Sequence, residues 1–168
     1  NTPVILELRI RACHVTGSFE TKDNIVPKFS RRNPITKPVF NLERIPLPPH
    51  NYTQEKLKID VRLPEALKFI QREQLNEFFP GDLRQVGIIL QGGMYNTTIR
   101  ALQQLGLADP YGASRIPLYV LNVTYPLVHE EVTRFCSGKR AVLVVEEGQP
   151  AHLEEAINSI LRRADIND

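Results

Sequence analysis

VGIILQGGMYNTTIRALQQLG, Val86 to Gly106, decides the fold: a short apolar strand empties through a glycine pair into an amphipathic helix. The strand stretch is apolar apart from Gly87, as expected where a parallel sheet is covered on both faces. In the helix, Ile99, Leu102 and Leu105 form one stripe, and Gly106 is a usual helix stop. The same plan recurs downstream in IPLYVLNVTYPLVHEEVTRFC (116–136) and RAVLVVEEGQPAHLEEAINSILRR (140–163). The second unit predicts a strand over 117–123, closed by Pro126, and a helix presenting Val128, Val132 and Phe135. The third predicts a strand over 141–145 and a helix with Leu153, Ala156, Ile157, Ile160, Leu161 and Ala164 on one face. Right-handed crossovers would stack these helices on both faces of a small, mostly parallel sheet, a three-layer α/β/α arrangement.

Upstream the signals are weaker. Residues 4–13, VILELRIRAC, suit a strand with one strongly buried face. Between Asn24 and His50 lie six of the chain's 13 prolines, which predicts an extended connector. From Tyr52 the front is ambiguous: Leu57, Ile59, Val61 and Leu63 alternate with polar residues as a half-exposed strand would, while Thr53 could cap a helix. After Pro64, EALKFIQREQLNEFF carries Leu67, Ile70 and Phe78 at helical spacing and reads as helix. The expected organisation is a strand-bearing tail of a preceding domain at 1–23, a Pro-rich connector at 24–51, a helical linker at 52–81 and an α/β domain at 82–168.

The bulk numbers bound the partners. With 168 residues, 42% hydrophobic and 24% charged, the chain can bury a real core, and a net charge of +2 gives no broad basic field for nucleic acid. No apolar run approaches the ~18 residues of a membrane helix, and NTPVILELRIRACH has neither a basic leader nor a signal-cleavage pattern, so a cytoplasmic protein is expected. The start at Asn1, with a strand-like run directly behind it, suggests a piece of a longer polypeptide. Cys13 and Cys136 lie far apart without CxxC spacing and read as reduced, structural thiols. Asn-x-Thr sequons at Asn51, Asn96 and Asn122 carry no meaning in a cytoplasmic protein.

In open α/β sheets ligands bind beyond the carboxyl ends of the strands, which directs attention to 91–96, 122–126 and 146–150. Gln91, Gly92, Gly93, Tyr95 and Asn96 stand at the first. There the glycines would let an anion approach the backbone and the next helix start. Neither GxGxxG nor GxxxxGK[ST] is present, so the turn lacks a nucleotide fingerprint, and its glycines equally serve tight packing. Glu146 and Glu147 close the third strand. As neighbours on a strand they would point to opposite faces, which fits a domain boundary and water better than a catalytic pair. His129-Glu130-Glu131 begins like HExxH, but Thr133 stands where the second histidine belongs. His14 and His152 are lone histidines, and no nucleophile-base set for a hydrolase can be read from spacing.

Taken together, PVILELRIRACHVTGSF (3–19), LPPHNY (47–52), GIILQGGMYNTTIRAL (87–102), IPLYVLNVTYPL (116–127) and VLVVEEGQP (142–150) resemble the alpha subunit of the indolepyruvate ferredoxin oxidoreductase family. The resemblance covers nearly the whole chain. Its most specific pieces are the glycine turn before Tyr95-Asn96 and the VVEE strand end. Family members often read a TSG-type turn where this chain has Gln91-Gly92-Gly93. The resemblance implies that 82–168 is similar to the transketolase C-terminal domain and that the N-terminal run is similar to the close of a pyrimidine-binding thiamine domain. It implies a parent enzyme that oxidatively decarboxylates arylpyruvates and other 2-oxo acids to acyl-coenzyme A with thiamine diphosphate, magnesium and iron-sulfur clusters. It further implies a homodimer, thiamine-binding domains elsewhere in the parent chain, ferredoxin, and a beta subunit or fused domain. No GDG metal motif occurs here, and two cysteines fall short of the four thiolates a cluster needs. The expectation is therefore a structural and interface domain with no catalytic, cofactor or metal residue of its own. The competing expectation is a small-ligand or anion-binding regulatory module built on Gly92, Gly93 and the next helix start.

Overall fold

The computed structural model describes residues 47–164 without interruption and, before them, residues 4–7, 10, 14, 16–18, 20, 21, 23, 41, 42 and 45. The chain divides into two compact units, Asn1–Phe40 and Asn41–Asp168. In the first unit Val4 to Glu7 carry no regular secondary structure, and Val4, Ile5, Leu6 and Ile10 are exposed. The strand expected over 4–13 is therefore not formed at residues 4–7. Apolar alternation marks a surface suited to a strand but supplies no neighbour to pair its backbone groups. Cys13 and residues 24–40 of the Pro-rich connector lie outside the described residues.

The second unit opens with α1 (His50–Leu57), which passes through a π-helical turn, Lys58–Arg62, into α2 (Leu63–Arg72). The alternating stretch 57–63 is thus helical. Glu55, Lys56 and Lys58 suit a helix surface, and the i,i+3 ion pair of Lys58 with Glu55 runs along it at 2.6 Å. Thr53 lies inside the first helical turn and caps nothing, because the helix starts after Pro49. Helix α2 ends at Arg72, earlier than its apolar spacing suggests. Gln74 takes φ 50°, Leu75 N donates to Ile70 O at 3.1 Å and Gln74 N to Gln71 O at 3.2 Å, the hydrogen bonds of a Schellman stop. The chain then enters β1 (Glu77–Phe79), so Phe78 is a strand residue.

Four strands form one sheet in the order β1-β3-β2-β4, with β2 (Val86–Gln91), β3 (Leu118–Leu121) and β4 (Ala141–Val145) parallel and β1 antiparallel to β3. The sheet is mixed, and it begins upstream of residue 82. Between the strands run α3 (Tyr95–Gln104), α4 (His129–Cys136) and α5 (His152–Arg163). Side-chain alternation sorts the core. Ile88, Leu90, Leu118 and Val120 pack with Ile99 and Leu102 of α3. Ile89, Tyr119 and Leu121 pack with Val132 and Phe135 of α4 and Leu153, Ile157 and Ile160 of α5. Each such side chain contributes roughly 1.5–3 kcal/mol on burial, enough for these clusters to dominate the unit's stability.

Two details depart from the helical stripes. Leu105 is 71% exposed, because α3 already ends at Gln104; Gly106 then takes φ 68°, and Leu107 N closes onto Leu102 O at 2.7 Å. Ala164 is also exposed, one residue past the end of α5. Cys136 is a free, buried thiol whose pKa is pushed up by burial and only partly offset by Lys139, which suits a packing residue rather than a reactive one.

Candidate functional site

The carboxyl ends of β2, β3 and β4 gather the segments that sequence placed there, and their polar groups are tied to one another. At the end of β2, Gln91 Oε1 accepts a hydrogen bond from Glu147 N at 2.9 Å, joining the β2 and β4 exits. Gly92 to Met94 form a single 3-10 turn leading into α3. Gly92 is pressed against the Asn122 side chain, where a Cβ would collide with Oδ1. Gly93 faces open space. Tyr95 packs inward with its ring 5.3 Å from Phe79, and Asn96 is exposed on the first turn of α3. Gly92 and Tyr95 line a small hollow of about 170 Å³ together with Glu77, Phe79, Val120 and Asn122.

Asn122, at the end of β3, reaches the other way. Its Nδ2 donates to Leu75 O at 2.9 Å and Glu77 Oε1 at 2.8 Å, fastening β1 to the strand ends.

Glu146 turns away from the strand and toward α5. Its carboxylate accepts from Leu153 N at 3.0 Å to both oxygens and from Glu154 N at 3.4 Å. No residue adjacent to α5 caps it, so this carboxylate from the preceding loop satisfies the orphan amides and meets the positive end of the helix dipole. The anion-attracting end of α5 is thus filled by the chain itself. Glu147 contributes its backbone N–H to Gln91, so the two adjacent glutamates hold separate structural positions.

A second polar centre lies under α4, built on Glu131 of the HExxH-like run but serving no metal role that run suggested. Glu131 is buried, and its Oε2 accepts from Tyr119 Oη at 2.8 Å and Asn76 Nδ2 at 3.0 Å. Asn76 Oδ1 accepts from Val123 N at 3.0 Å, and Nδ2 also lies 3.3 Å from Tyr119 Oη. Burial, then the hydrogen bond to Glu131, drives the Tyr119 hydroxyl far above its ordinary pKa, so it stays a donor. The Tyr119 ring stacks on Phe78 at 4.4 Å, and the Arg134 guanidinium lies 4.8 Å from the Phe78 centroid. Phe78, Glu131 and Arg134 line a hollow of about 500 Å³. The three polar partners are 43 and 12 residues apart in sequence, too far for any local motif to announce.

A cleft of about 640 Å³ runs over the exits of β2 and β4 and along α5. Gln91, Glu146 and Glu147 stand at its strand end, as do His129 and His152; Leu63 and Leu67 of α2 form the opposite wall. Among the described residues no group of three His, Cys, Asp or Glu side chains is placed to hold a metal ion, and no helix is long and apolar enough to cross a membrane. His129 lies at the start of α4, and Thr133 turns its hydroxyl back to the His129 carbonyl at 3.0 Å, so this turn of helix presents one imidazole.

Residues 77–159 match the family model of the indolepyruvate ferredoxin oxidoreductase middle domain. The chain is similar to proteins named indolepyruvate oxidoreductase subunit IorA. It is 29% identical over 160 residues to that of Methanothermobacter thermautotrophicus, covering 92% of this chain and 23% of the relative. It is 30% identical over 149 residues to that of Methanothermobacter marburgensis, covering 86% and 22%. With that of Archaeoglobus fulgidus it shares 29% identity over 152 residues, covering 88% and 22%. The chain thus spans less than a quarter of the length of the curated relatives it matches. No solved structure matches it significantly.

Proposed function

We propose that this IorA-like chain, whose residues 77–159 match the middle domain of indolepyruvate ferredoxin oxidoreductase, is an architectural and interface segment of such an enzyme and carries no catalytic residue of its own. The parent would be a cytoplasmic, thiamine diphosphate-dependent oxidoreductase. It would convert arylpyruvates or related 2-oxo acids to acyl-coenzyme A and pass electrons to ferredoxin. The observation that carries the structural role is how the strand-end polar groups are used. Glu146 caps α5, Gln91 joins the β2 and β4 exits, and Asn122 anchors β1. Side chains held this way position loops; they are not left to meet a substrate.

The donor set here does not fit the parent's prosthetic groups. The sequence has no GDG motif, its two cysteines cannot supply four thiolates, and the described residues assemble no cluster of three metal ligands. Thiamine diphosphate, magnesium and the clusters would therefore be held by other domains of the parent chain and by a beta subunit or fused domain. The parallel β2, β3 and β4, with α3 packed on one face and α4 and α5 on the other, support a transketolase C-terminal-like reading of residues 82–168. Pairing of two such domains in a homodimer belongs to the same reading.

The test compares the purified 168-residue chain with the full parent polypeptide and its partner subunit. Each is supplied with indolepyruvate, coenzyme A, thiamine diphosphate, magnesium and a viologen acceptor. The parent is expected to reduce the viologen and the chain alone to give no turnover. Turnover by the chain alone would sink the architectural reading, and a parent inert toward every 2-oxo acid would sink the enzyme class. Sedimentation of the chain at increasing concentration reads the homodimer directly.

A further inference from the structure

The cleft along α5 has a composition that the architectural role does not use. His152, Leu153, Ala156, Ser159, Ile160 and Arg163 all line it, at the spacing of one helix face. The groove therefore follows the helix for about 16 Å, the rise of its eleven residue steps. Leu63 and Leu67 of α2 are only half-buried and face it from the other side, and Leu127 contributes from the loop before α4. At about 640 Å³ it is within the size range of small-molecule sites, and it opens where parallel α/β sheets present their ligands.

Its charges are unevenly placed. At the strand end, the Glu146 carboxylate is consumed by the α5 amides. At the far end, Ser159 and Arg163 stand four residues apart on one face, a hydroxyl and a guanidinium on neighbouring helix turns. Arg163 takes part in none of the ion pairs among the described residues. A groove with aliphatic walls, ending in a hydroxyl and in a cation that forms no ion pair among the described residues, is complementary to a ligand with an apolar body and a single carboxylate head.

We propose that this cleft is a binding site for a small amphipathic carboxylate. The apolar body lies between α2 and α5 against Leu63, Leu67, Ala156 and Ile160, and the head is held by Arg163 and Ser159. This site does not depend on the enzyme assignment. It also differs from an anion site at the Gly92-Gly93 turn, because the head group sits at the opposite end of α5 from the strand exits.

The experiment titrates the 168-residue chain with octanoate, octylamine and 1-octanol, equal chains with different heads, followed by amide chemical shifts and calorimetry. Octanoate is expected to saturate with shifts along 152–163 and 63–67, binding about five- to tenfold tighter than the other two, the size of one charge-assisted contact at a half-open site. Arg163→Gln, a change on an exposed helix end, should erase the preference for octanoate while leaving octanol binding as it was. Ala156→Trp should fill the trough and weaken all three, with its melting temperature checked against the wild type. Equal affinity for the three heads, shifts outside the cleft, no saturation, or an Arg163→Gln chain that still prefers octanoate would each overturn the proposal.

Discussion

Replacing Tyr119 by Phe removes one oxygen from the interior and nothing else, which makes it a clean probe of the Asn76–Tyr119–Glu131 centre. The phenyl ring can keep the stack on Phe78 at 4.4 Å, and Glu131 keeps its Asn76 donor at 3.0 Å. What is lost is the 2.8 Å hydrogen bond from Tyr119 Oη to the buried carboxylate, together with the longer 3.3 Å contact that Oη accepts from Asn76 Nδ2. A hydrogen bond to a charged group contributes about 1.5–3 kcal/mol, so the variant should be destabilised by that amount at pH 8. The cost should then shrink as pH rises. The folded-state pKa of Tyr119 is raised, so its stabilising effect is fully present below the unfolded value near 10 and is lost as pH climbs above it. The unfolded chain then releases a proton that the folded chain retains. Linkage sets this loss at about 0.8 kcal/mol at pH 10.5 and about 1.4 kcal/mol at pH 11, relative to a variant with no hydroxyl to titrate. Urea unfolding of both chains at pH 8, 10.5 and 11 measures the difference directly, since the remaining tyrosines and lysines cancel. A variant as stable as the wild type at pH 8 would refute the hydrogen bond. A stability gap that stays constant to pH 11 would refute the protonated, buried hydroxyl.

Glu146→Ala should cost about 1–2 kcal/mol in urea unfolding through loss of the α5 cap, and Glu146→Gln, which keeps an acceptor but loses the charge, about half as much; equal stabilities for the wild type and Glu146→Ala would remove the cap. Gln74→Gly should stabilise by about 0.5–1 kcal/mol, because an L side chain at φ 50° is strained and glycine is not; a loss of stability would contradict the Schellman geometry. Gly92→Ala should destabilise by about 1–3 kcal/mol by pushing on Asn122, and most of that cost should vanish when Asn122 is also changed to Ala; additive effects in this double-mutant cycle would show that the two residues do not press on each other.

The parts legible in sequence are those fixed by short-range repetition. The strand at 141–145 coincides with β4 to the residue, and the stripe Leu153, Ile157 and Ile160 is the buried face of α5, because apolar periodicity reports burial directly. Where two periods fit the same residues, the pattern could not decide. Ile70 and Phe78 are eight apart, which suits a helix, yet Gln74 stops the helix and Phe78 pairs with Tyr119 on β3, a strand 41 residues away. That choice is made by a non-local partner, and only the folded chain supplies one. The strand ends show the same limit from the chemical side. Residue type drew attention to Gln91, Glu146 and Glu147, but whether a carboxylate is a base, a ligand or a cap depends on what stands a few ångströms away. For Glu146 the neighbours are the amides of Leu153 and Glu154, seven and eight residues on. The helix end that would attract an anion is thereby satisfied from within, so ligand chemistry on this unit shifts to the other end of α5. There Arg163 has no carboxylate of the described chain to neutralise it, and the aliphatic wall between α2 and α5 stays open.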